Sequence, residues 1–202
     1  MPARTRTGPF TFDEFVDLVP EHQKADVLEG VIYLTPPEAC DCARLLTWLA
    51  VVLGQFVEQR ELGDVLANRI AYRLAADTAV EPDVAVLRTE HRDRVRKEYV
   101  EGPPDLVIEI VSPESVSRDY EHKRRLYEQY GVPEYWIIDP DEKRATFLVL
   151  EGGKYVEVVP VEHIFRSRAV PGFALDVRWL WQRPLRRTLG VVQHLLAGSG
   201  AG

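Results

Sequence analysis

Residues 105–140 read DLVIEIVSPESVSRDYEHKRRLYEQYGVPEYWIIDP, and they give the clearest indication of the fold class. Its opening residues, 105–111, form a nearly continuous apolar run, as in a strand that is buried on both faces near the centre of a sheet. A helical pattern follows over 115–130 and ends at Gly-Val-Pro, residues 131–133. Residues 135–139 supply the next apolar strand. The stretch therefore predicts a β-α-β unit at the centre of an α/β fold.

The rest of the chain adds helices and strands to this unit. Apolar residues recur at helical spacing in two segments, and β-branched or aromatic residues between turn residues mark the strands. These patterns predict helices over 10–19 and 42–59, a strand pair or one bent strand over 26–34, an antiparallel meander over 64–87, and an added hairpin over 145–159 in the C-terminal part. Together they predict a mixed central β-sheet flanked by helices.

Length and composition lead us to expect one soluble domain. A chain of 202 residues buries a sufficient core by itself, and 46% hydrophobic with 28% charged residues is ordinary for a globular protein. No secretory signal is visible in the sequence, so we expect a cytoplasmic protein with no membrane partner. We expect the domain over 1–182, and a tail over 183–202 that forms a short helix and then a disordered end.

The spacing of the cysteines and histidines and the net charge exclude several classes of function. The two cysteines, Cys40 and Cys42, form neither a disulfide framework nor a zinc-ligand set, and the five histidines are scattered without zinc-site spacing. The net charge of -7 argues against a general polyanion binder, because Lys and Arg supply most of the affinity for nucleic acid. Any nucleic-acid role therefore needs a local basic face or a metal ion.

Two carboxylates are the first candidates for chemistry. Glu109 lies in the apolar run on the strand face of Val107 and Val111, and a buried carboxylate is costly unless it is paired, hydrogen-bonded or bound to a cation. Asp83 opens another apolar strand. If the two strands are neighbours, their carboxylates would bind a hard divalent cation such as Mg²⁺. Such an ion would polarise a phosphodiester and generate hydroxide from water.

Lys123 is the third candidate. On the predicted helix it shares a face with Asp119 and Tyr127 by i, i+4 spacing, so it points towards the sheet. There its ammonium would stabilise negative charge or orient an attacking water. Taken singly, Asp83 is more often an ion-pair or turn-capping group, and a lysine such as Lys123 more often covers apolar surface. Because Asp83, Glu109 and Lys123 occur together in this order along the chain, we predict that they form one site.

At these residues the sequence resembles the PD-(D/E)xK nuclease superfamily, and more closely its Uma-two family of restriction endonucleases. The resemblance runs from about residue 24 to residue 150. Four segments carry it, in the order ADVLEGVIYLTPP (25–37), AVEPDVAVL (79–87), GPPDLVIEIVSPES (102–115) and RDYEHKRRLYEQYGVPEYWIIDP (118–140). The resemblance implies a restriction-endonuclease-like core and a Mg²⁺-dependent endonuclease, with Mn²⁺ as a substitute metal, that cleaves DNA as a homodimer.

The resemblance also implies roles for individual residues. Asp83 and Glu109 would bind the metal, and the backbone carbonyl of Ile110 would complete its shell. The superfamily's usual lysine position falls at Val111, which cannot serve, so the family's lysine is expected from the following helix, at Lys123.

An acidic residue of the early segment is expected to join the site, and either Asp26 or Glu29 matches it. This chain departs from the family at the start of the next helix, where Asp41-Cys42 stands in place of a frequent histidine. Any role of that histidine is therefore lost or taken by another group.

Three other functions are alternatives to a metal-dependent nuclease. A non-catalytic protein with the nuclease fold would be a DNA-binding or protein-interaction module, and the acidic charge favours it. A hydrolase of small phosphorylated molecules would need a closed pocket rather than an open groove. A serine hydrolase built on Ser112 is disfavoured, because the residue lacks a nucleophile elbow and no histidine base is assignable.

Overall fold

The computed structural model describes residues 9–20, 23–37 and 39–198 of the chain. The α-helices are α1 (Phe12–Leu18), α2 (Cys40–Gln59), α3 (Arg124–Gln129) and α4 (Thr188–Gly198), and a π-helix (Arg118–Lys123) leads directly into α3. Two 3₁₀ helices span Thr89–Arg94 and Val177–Trp181. The strands are β1 (Ala25–Leu28), β2 (Val31–Leu34), β3 (Gly63–Ala67), β4 (Ala71–Ala75), β5 (Thr78–Val80), β6 (Val84–Arg88), β7 (Tyr99–Glu101), β8 (Leu106–Ile110), β9 (Glu134–Asp139), β10 (Arg144–Glu151), β11 (Lys154–Glu157), β12 (Ile164–Arg166) and β13 (Ala174–Asp176).

The larger of two main sheets has the strand order β11-β10-β9-β8-β6-β3. β8 and β9 are parallel neighbours and the helical segment connects them, which confirms the β-α-β unit. β6 lies antiparallel on the other side of β8, so the sheet is mixed and β8 is central, as predicted. β10 and β11 form the predicted hairpin. Further towards the C-terminus, β12 and β13 form a separate two-stranded sheet.

A second sheet, of order β2-β1-β5-β4-β7, replaces the predicted meander over 64–87. β3 pairs with β6 in the larger sheet, whereas β4 and β5 pair with each other in the second one. The chain leaves the larger sheet at Asn68 and Arg69, which both have positive φ. Asn68 adopts that conformation readily, whereas Arg69 does so at some cost. The sequence predicts a break in the strand at Asn68, but it does not predict that the strands on either side of the break belong to different sheets.

The central strand β8 separates two apolar layers. Leu106, Ile108 and Ile110 face the core that α2 covers. Val107 and Val111 face the opposite core, which contains the buried residues of α3. Period-two alternation therefore places Glu109 on the α3 side of the sheet, as the sequence predicts.

Helix α2 is a core helix. By length and apolar composition it meets the criteria for a membrane span, the only helix of the described ranges to do so. In the fold its buried residues, including Leu49, Val52 and Phe56, pack into the larger apolar core. Such packing is ordinary for a central helix of a globular domain.

The C-terminal segment is packed on the same core. α4 buries Val191, Val192 and Leu195 in the cluster that contains α2. The indole N–H of Trp48 in α2 donates to the backbone carbonyl of Arg186, at 2.8 Å. Residues 199–202, where a disordered end is expected, lie outside the described residues.

Candidate active site

Glu109 and Lys123 form the buried centre of the site. Lys123 Nζ lies 2.8 Å from Glu109 Oε1, and each side chain is less than a twentieth exposed. The hydroxyl of Tyr127, one turn after Lys123, donates to the same Oε1 at 2.8 Å. A parallel β-α-β crossover brings these groups together, because it lays the helical segment over the strand that carries Glu109.

Asp83 reaches the same region from the neighbouring strand. It stands just before β6, which pairs with β8, and its Oδ2 accepts a hydrogen bond from the backbone N–H of Ile110 at 2.6 Å. Its other oxygen pairs with the ammonium of Lys24, which precedes β1. The predicted neighbouring carboxylates therefore do meet at one edge of β8.

The two early acidic candidates have different surroundings. Asp26 is buried, its Oδ2 lies 3.1 Å from Lys123 Nζ, and its Oδ1 accepts from the backbone N–H of Glu81 at 2.8 Å. The contact with Lys123 is an ion pair without hydrogen-bond alignment. Glu29 is half exposed and pairs with Arg125 at 2.5 Å. Asp26 thus belongs to the buried cluster, and Glu29 belongs to a surface ion pair.

Burial raises the pKa of two acids in this region. It raises the pKa of Glu109 to about 7, although the neighbouring Lys123 lowers it. Burial also raises the pKa of Asp119. For Lys123, burial alone would lower the pKa, but the attraction of Asp26 and Glu109 outweighs it and the pKa is raised. Lys123 is therefore an ammonium at neutral pH.

These groups open into a cleft of about 410 Å³, which we call the active-site cleft. Its charged walls come from both sheets and the π-helix, and its rim comes from the loop after β2 and the start of α2. The lining includes Lys24, Thr35, Pro36, Pro37, Ala39, Cys42, Asp83, Glu109, Asp119 and Lys123. Three of the lining acids and both lysines are the groups described above, so these buried charges form part of the cleft wall.

The sequence matches the model of one known family over residues 12–178, most of its length, and that family, Uma2, is described as "Putative restriction endonuclease". The chain belongs to the Uma2 family. No curated protein matches it.

One solved structure has a similar fold. It is described as "a putative nuclease belonging to DUF820" from Anabaena variabilis ATCC 29413. The two chains superpose with a TM-score of 0.70 at 20% sequence identity, over 86% of this chain and 98% of the other. At that identity the likeness concerns the fold, and it confirms the predicted nuclease-like α/β architecture.

Some residues of this Uma2 site were not identified from sequence. Lys24 was not singled out, although it alternates by two with Asp26 and so shares its side of the extended chain. Asp119 and Tyr127 were placed on the correct helix face but were not assigned to the site. In the structure Asp119 lines the cleft, and its backbone carbonyl accepts from Tyr135 Oη at 3.0 Å.

Proposed function

We propose that this Uma2 protein is a Mg²⁺-dependent endonuclease that hydrolyses DNA phosphodiester bonds, with Mn²⁺ as a substitute metal. The observation that carries the proposal is the meeting of Asp83 and Glu109 at one edge of β8, in a cleft that also holds the Lys123 ammonium. Carboxylates on a rigid sheet beside a buried cation are suited to a reaction in which negative charge develops on phosphate.

The carboxylate oxygens of this site suit a hard divalent cation that takes only a few of its ligands from the protein. No group of three or more His, Cys, Asp or Glu side chains in the described ranges is arranged as a metal site. Mg²⁺ does not need one, since it is commonly held by one or two carboxylates and keeps several waters. Asp26, Asp83, Glu109 and Asp119 outnumber Lys24 and Lys123, so the ionised cluster is short of positive charge. The half-buried Arg118 at the rim reduces this excess without removing it.

Particular oxygens are available to such an ion. Both hydrogen bonds described for Glu109 go to Oε1, which leaves Oε2 as the oxygen for a cation. The N–H and the C=O of one strand residue point to the same side, so the Ile110 carbonyl lies on the side of Asp83, to which its N–H donates. Asp83 and Glu109 with the Ile110 carbonyl would hold the ion, which supplies Lewis-acid polarisation of a phosphate and a lowered pKa of water.

The protein's own groups would orient and stabilise the reacting phosphate. Lys123 is held as an ammonium between Glu109 and Asp26, so it donates to developing negative charge rather than taking a proton. Tyr127 fixes the Glu109 carboxylate from the helix side. We propose a homodimer as the working form, because two sites would then address the two strands of a duplex.

Calorimetric titration of Mg²⁺ and Mn²⁺ into the wild type and the variants Asp83→Asn and Glu109→Gln tests the proposal. The same proteins are then assayed for nicking of supercoiled DNA. We expect a single binding event per wild-type chain. Mutation of residues that only orient the metal ligands typically lowers metal affinity or activity by about 10- to 100-fold. Each of the two variants removes a ligand itself, so we expect it to lower metal affinity and nicking by at least that factor.

Asp105→Asn is the matched control. Asp105 is a buried acid at the other end of the same strand segment, where it accepts from the backbone N–H of Arg88 at 2.8 Å and does not line the cleft. This variant should bind metal and nick DNA as the wild type does. Metal-independent nicking, or nicking that survives Asp83→Asn, would contradict the proposed function.

A non-catalytic module with the same fold is the second candidate. The observation that favours it is that Asp83 and Glu109 are already paired with Lys24 and Lys123, respectively. A protein of this kind would show no metal binding by calorimetry and no nicking in either metal, whereas DNA binding would persist.

A further inference from the structure

The C-terminal end of this acidic protein has a local excess of positive charge. After Asp176 the sequence contains four arginines and no aspartate or glutamate, although the whole chain has a net charge of -7. Three of these arginines, Arg183, Arg186 and Arg187, are close in sequence and exposed. A local basic face of this kind is the feature that an acidic protein needs in order to bind a polyanion.

The fold brings this segment against the first turns of α2. The Trp48 indole donates to the Arg186 carbonyl at 2.8 Å, and α4 packs on α2 just beyond. Arg44 of α2 joins the basic residues there, and a hollow of about 740 Å³ is lined by Arg44, Arg183, Arg186 and the Trp48 ring, among others. We call Arg44, Arg183, Arg186 and Arg187 the arginine tract.

The arginine tract adjoins the active-site cleft through α2. Ala39 and Cys42 line the active-site cleft, whereas Asp41 and Arg44 line the hollow of the tract. All four residues lie at the N-terminal end of α2. A helix rises 1.5 Å per residue, so their Cα atoms lie within roughly 10 Å of one another. That distance corresponds to a few phosphates along a nucleic-acid strand, about 3.4 Å of rise apart.

The guanidinium groups of Arg183 and Arg186 donate to neutral groups rather than to carboxylates. Arg183 donates to the carbonyls of Leu180 and Gln182, at 3.0 and 2.9 Å. Arg186 donates to Gln182 Oε1 at 3.1 Å and lies 5.5 Å from the centre of the Trp179 ring. Neutral acceptors and an aromatic ring orient a guanidinium without cancelling its charge.

One carboxylate is paired with the tract among the described residues. It belongs to Asp41, whose Oδ1 lies 2.9 Å from Arg44 Nη1, and both side chains of that pair are more than half exposed. An exposed pair of this kind is weak, so Asp41 gives way readily to a phosphate. The tract therefore retains a net positive charge.

We infer that the arginine tract binds backbone phosphates of the nucleic-acid strand on which the active-site cleft acts. Arginine suits this task, because its planar fork forms paired hydrogen bonds to phosphate oxygens. The inference rests on the proposed function for its substrate, but it concerns a surface outside the candidate catalytic residues. Phosphate contacts fix the position of a duplex without reading its sequence, so the tract sets affinity and register rather than base specificity.

Fluorescence anisotropy with a labelled DNA duplex tests the inference. Binding is measured in EDTA, over a series of salt concentrations, for the wild type and for the variant R44Q/R183Q/R186Q/R187Q. Each lost phosphate contact lowers the slope of log Kd against log salt by about 0.9, so we expect the slope to fall by roughly 3 to 4. A matched control, R92Q/R96Q/K154Q/R168Q, removes the same charge from exposed positions that line neither the active-site cleft nor the hollow.

The control should keep most of the wild-type slope. Equal losses in the two variants would mean that only net charge matters, and an unchanged slope in the tract variant would mean that DNA does not touch it. Either result overturns the inference. Polyglutamate that competes for the tract as well as unlabelled DNA does would also overturn it, in favour of an acidic protein partner.

A small substrate separates this inference from the proposed function. Bis(p-nitrophenyl) phosphate is too short to span from the cleft to the arginine tract. With Mn²⁺, the tract variant should hydrolyse it at the wild-type rate while it nicks DNA with a raised KM. If the wild type neither hydrolyses it nor nicks DNA, the proposed function fails, and the salt slopes still decide whether the arginine tract binds DNA.

Discussion

Lys123 is the residue on which the buried charges of the cleft depend. It touches Glu109 and Asp26, and all three side chains are nearly inaccessible to water. Removing one partner from a buried ion pair costs about 3–5 kcal/mol, because the remaining charge loses its compensation. A loss of activity on changing Lys123 would therefore mix catalysis with folding. Glu109→Gln is the cleaner probe of chemistry, because Asp26 still pairs with Lys123 in that variant.

Glu81 provides a pH-dependent prediction away from the cleft. Burial raises its pKa to about 7, although a hydrogen bond from the Ala25 N–H lowers it. Between pH 4.5 and 7 the unfolded chain loses this proton while the folded chain keeps it, so the free energy of unfolding falls as pH rises. The loss should reach on the order of 1–3 kcal/mol.

The variant Glu81→Gln keeps the hydrogen-bond acceptor and removes the titration. Urea unfolding of both proteins in EDTA, from pH 4 to 8, gives the difference in their free energies of unfolding. That difference should grow in favour of the variant up to about pH 7 and then level off. Parallel curves across the range would show that Glu81 titrates normally in the folded protein.

The site residues that could be identified from sequence are those that differ in polarity from their neighbours along the chain. Glu109 interrupts an apolar strand, and Lys123 stands on the apolar face of a helix, so each stands out against its own neighbours. Lys24 has no such contrast, since it flanks a strand and its partner Asp83 lies 59 residues away. The sequence alone likewise does not distinguish Asp26 from Glu29. Residues three apart lie on opposite faces of a continuous strand, but this relation is lost if a turn lies between them.

At the scale of elements, the hairpin of β1 and β2 shows how one turn positions a site residue. Glu29 and Gly30 both have positive φ and reverse the chain, so that Asp26 remains on the buried strand. A Cβ at Gly30 would lie 2.3 Å from the Cβ of Pro9 and 2.6 Å from its Cα. Glycine is therefore required here by both conformation and space.

Gly30→Ala is expected to destabilise the protein by about 1–3 kcal/mol, because it adds strain at positive φ and a clash with backbone. Thermal unfolding followed by circular dichroism measures the effect. Gly54→Ala is the matched control, since Gly54 lies inside α2 and nothing comes within 4 Å of an added Cβ. That change should stabilise by up to about 1 kcal/mol. A Gly30→Ala protein as stable as the wild type would show that the turn accommodates a side chain.

Element types were easier to predict than their partners. Periodicity located α2 and the β8 and β9 strands, because each buries a face whose pattern is written in its own residues. The division of 64–87 between two sheets was missed, because strand partners are selected by contacts between distant segments. The π-helix was also read as ordinary helix, since Asp119 and Lys123 lie on one face in either form.

In the whole molecule, the buried acids of the cleft and the arginine tract occupy different places. The buried acids surround the cleft beside β8, and the arginine tract lies beyond the start of α2. A phosphate chain would be drawn to the tract and directed from there towards the acids, which need a cation before they can accept it. If the arginine tract binds the phosphates and the cleft holds the metal ion, a protein with a net charge of -7 can act on a polyanion.

The C-terminal segment also contributes to the core, which yields a prediction separate from its charge. α4 buries Val191, Val192 and Leu195 in the cluster that contains α2. Truncation after Gln182 would expose that surface on both helices. Burial of such side chains contributes about 1.5–3 kcal/mol each, so the truncated protein should be several kcal/mol less stable and should bind a hydrophobic dye.

Two point variants distinguish packing from the loss of arginines. Leu195→Ser places a hydroxyl in the core and should lower the free energy of unfolding by about 2–5 kcal/mol, whereas Leu189→Ser on the same helix is 63% exposed and should change it little. Neither alters charge, so the salt slope of DNA binding should stay at the wild-type value in both. Equal stability of the two variants would mean that α4 is not docked in solution, and residues 183–198 would then act as a basic extension rather than as part of the domain core.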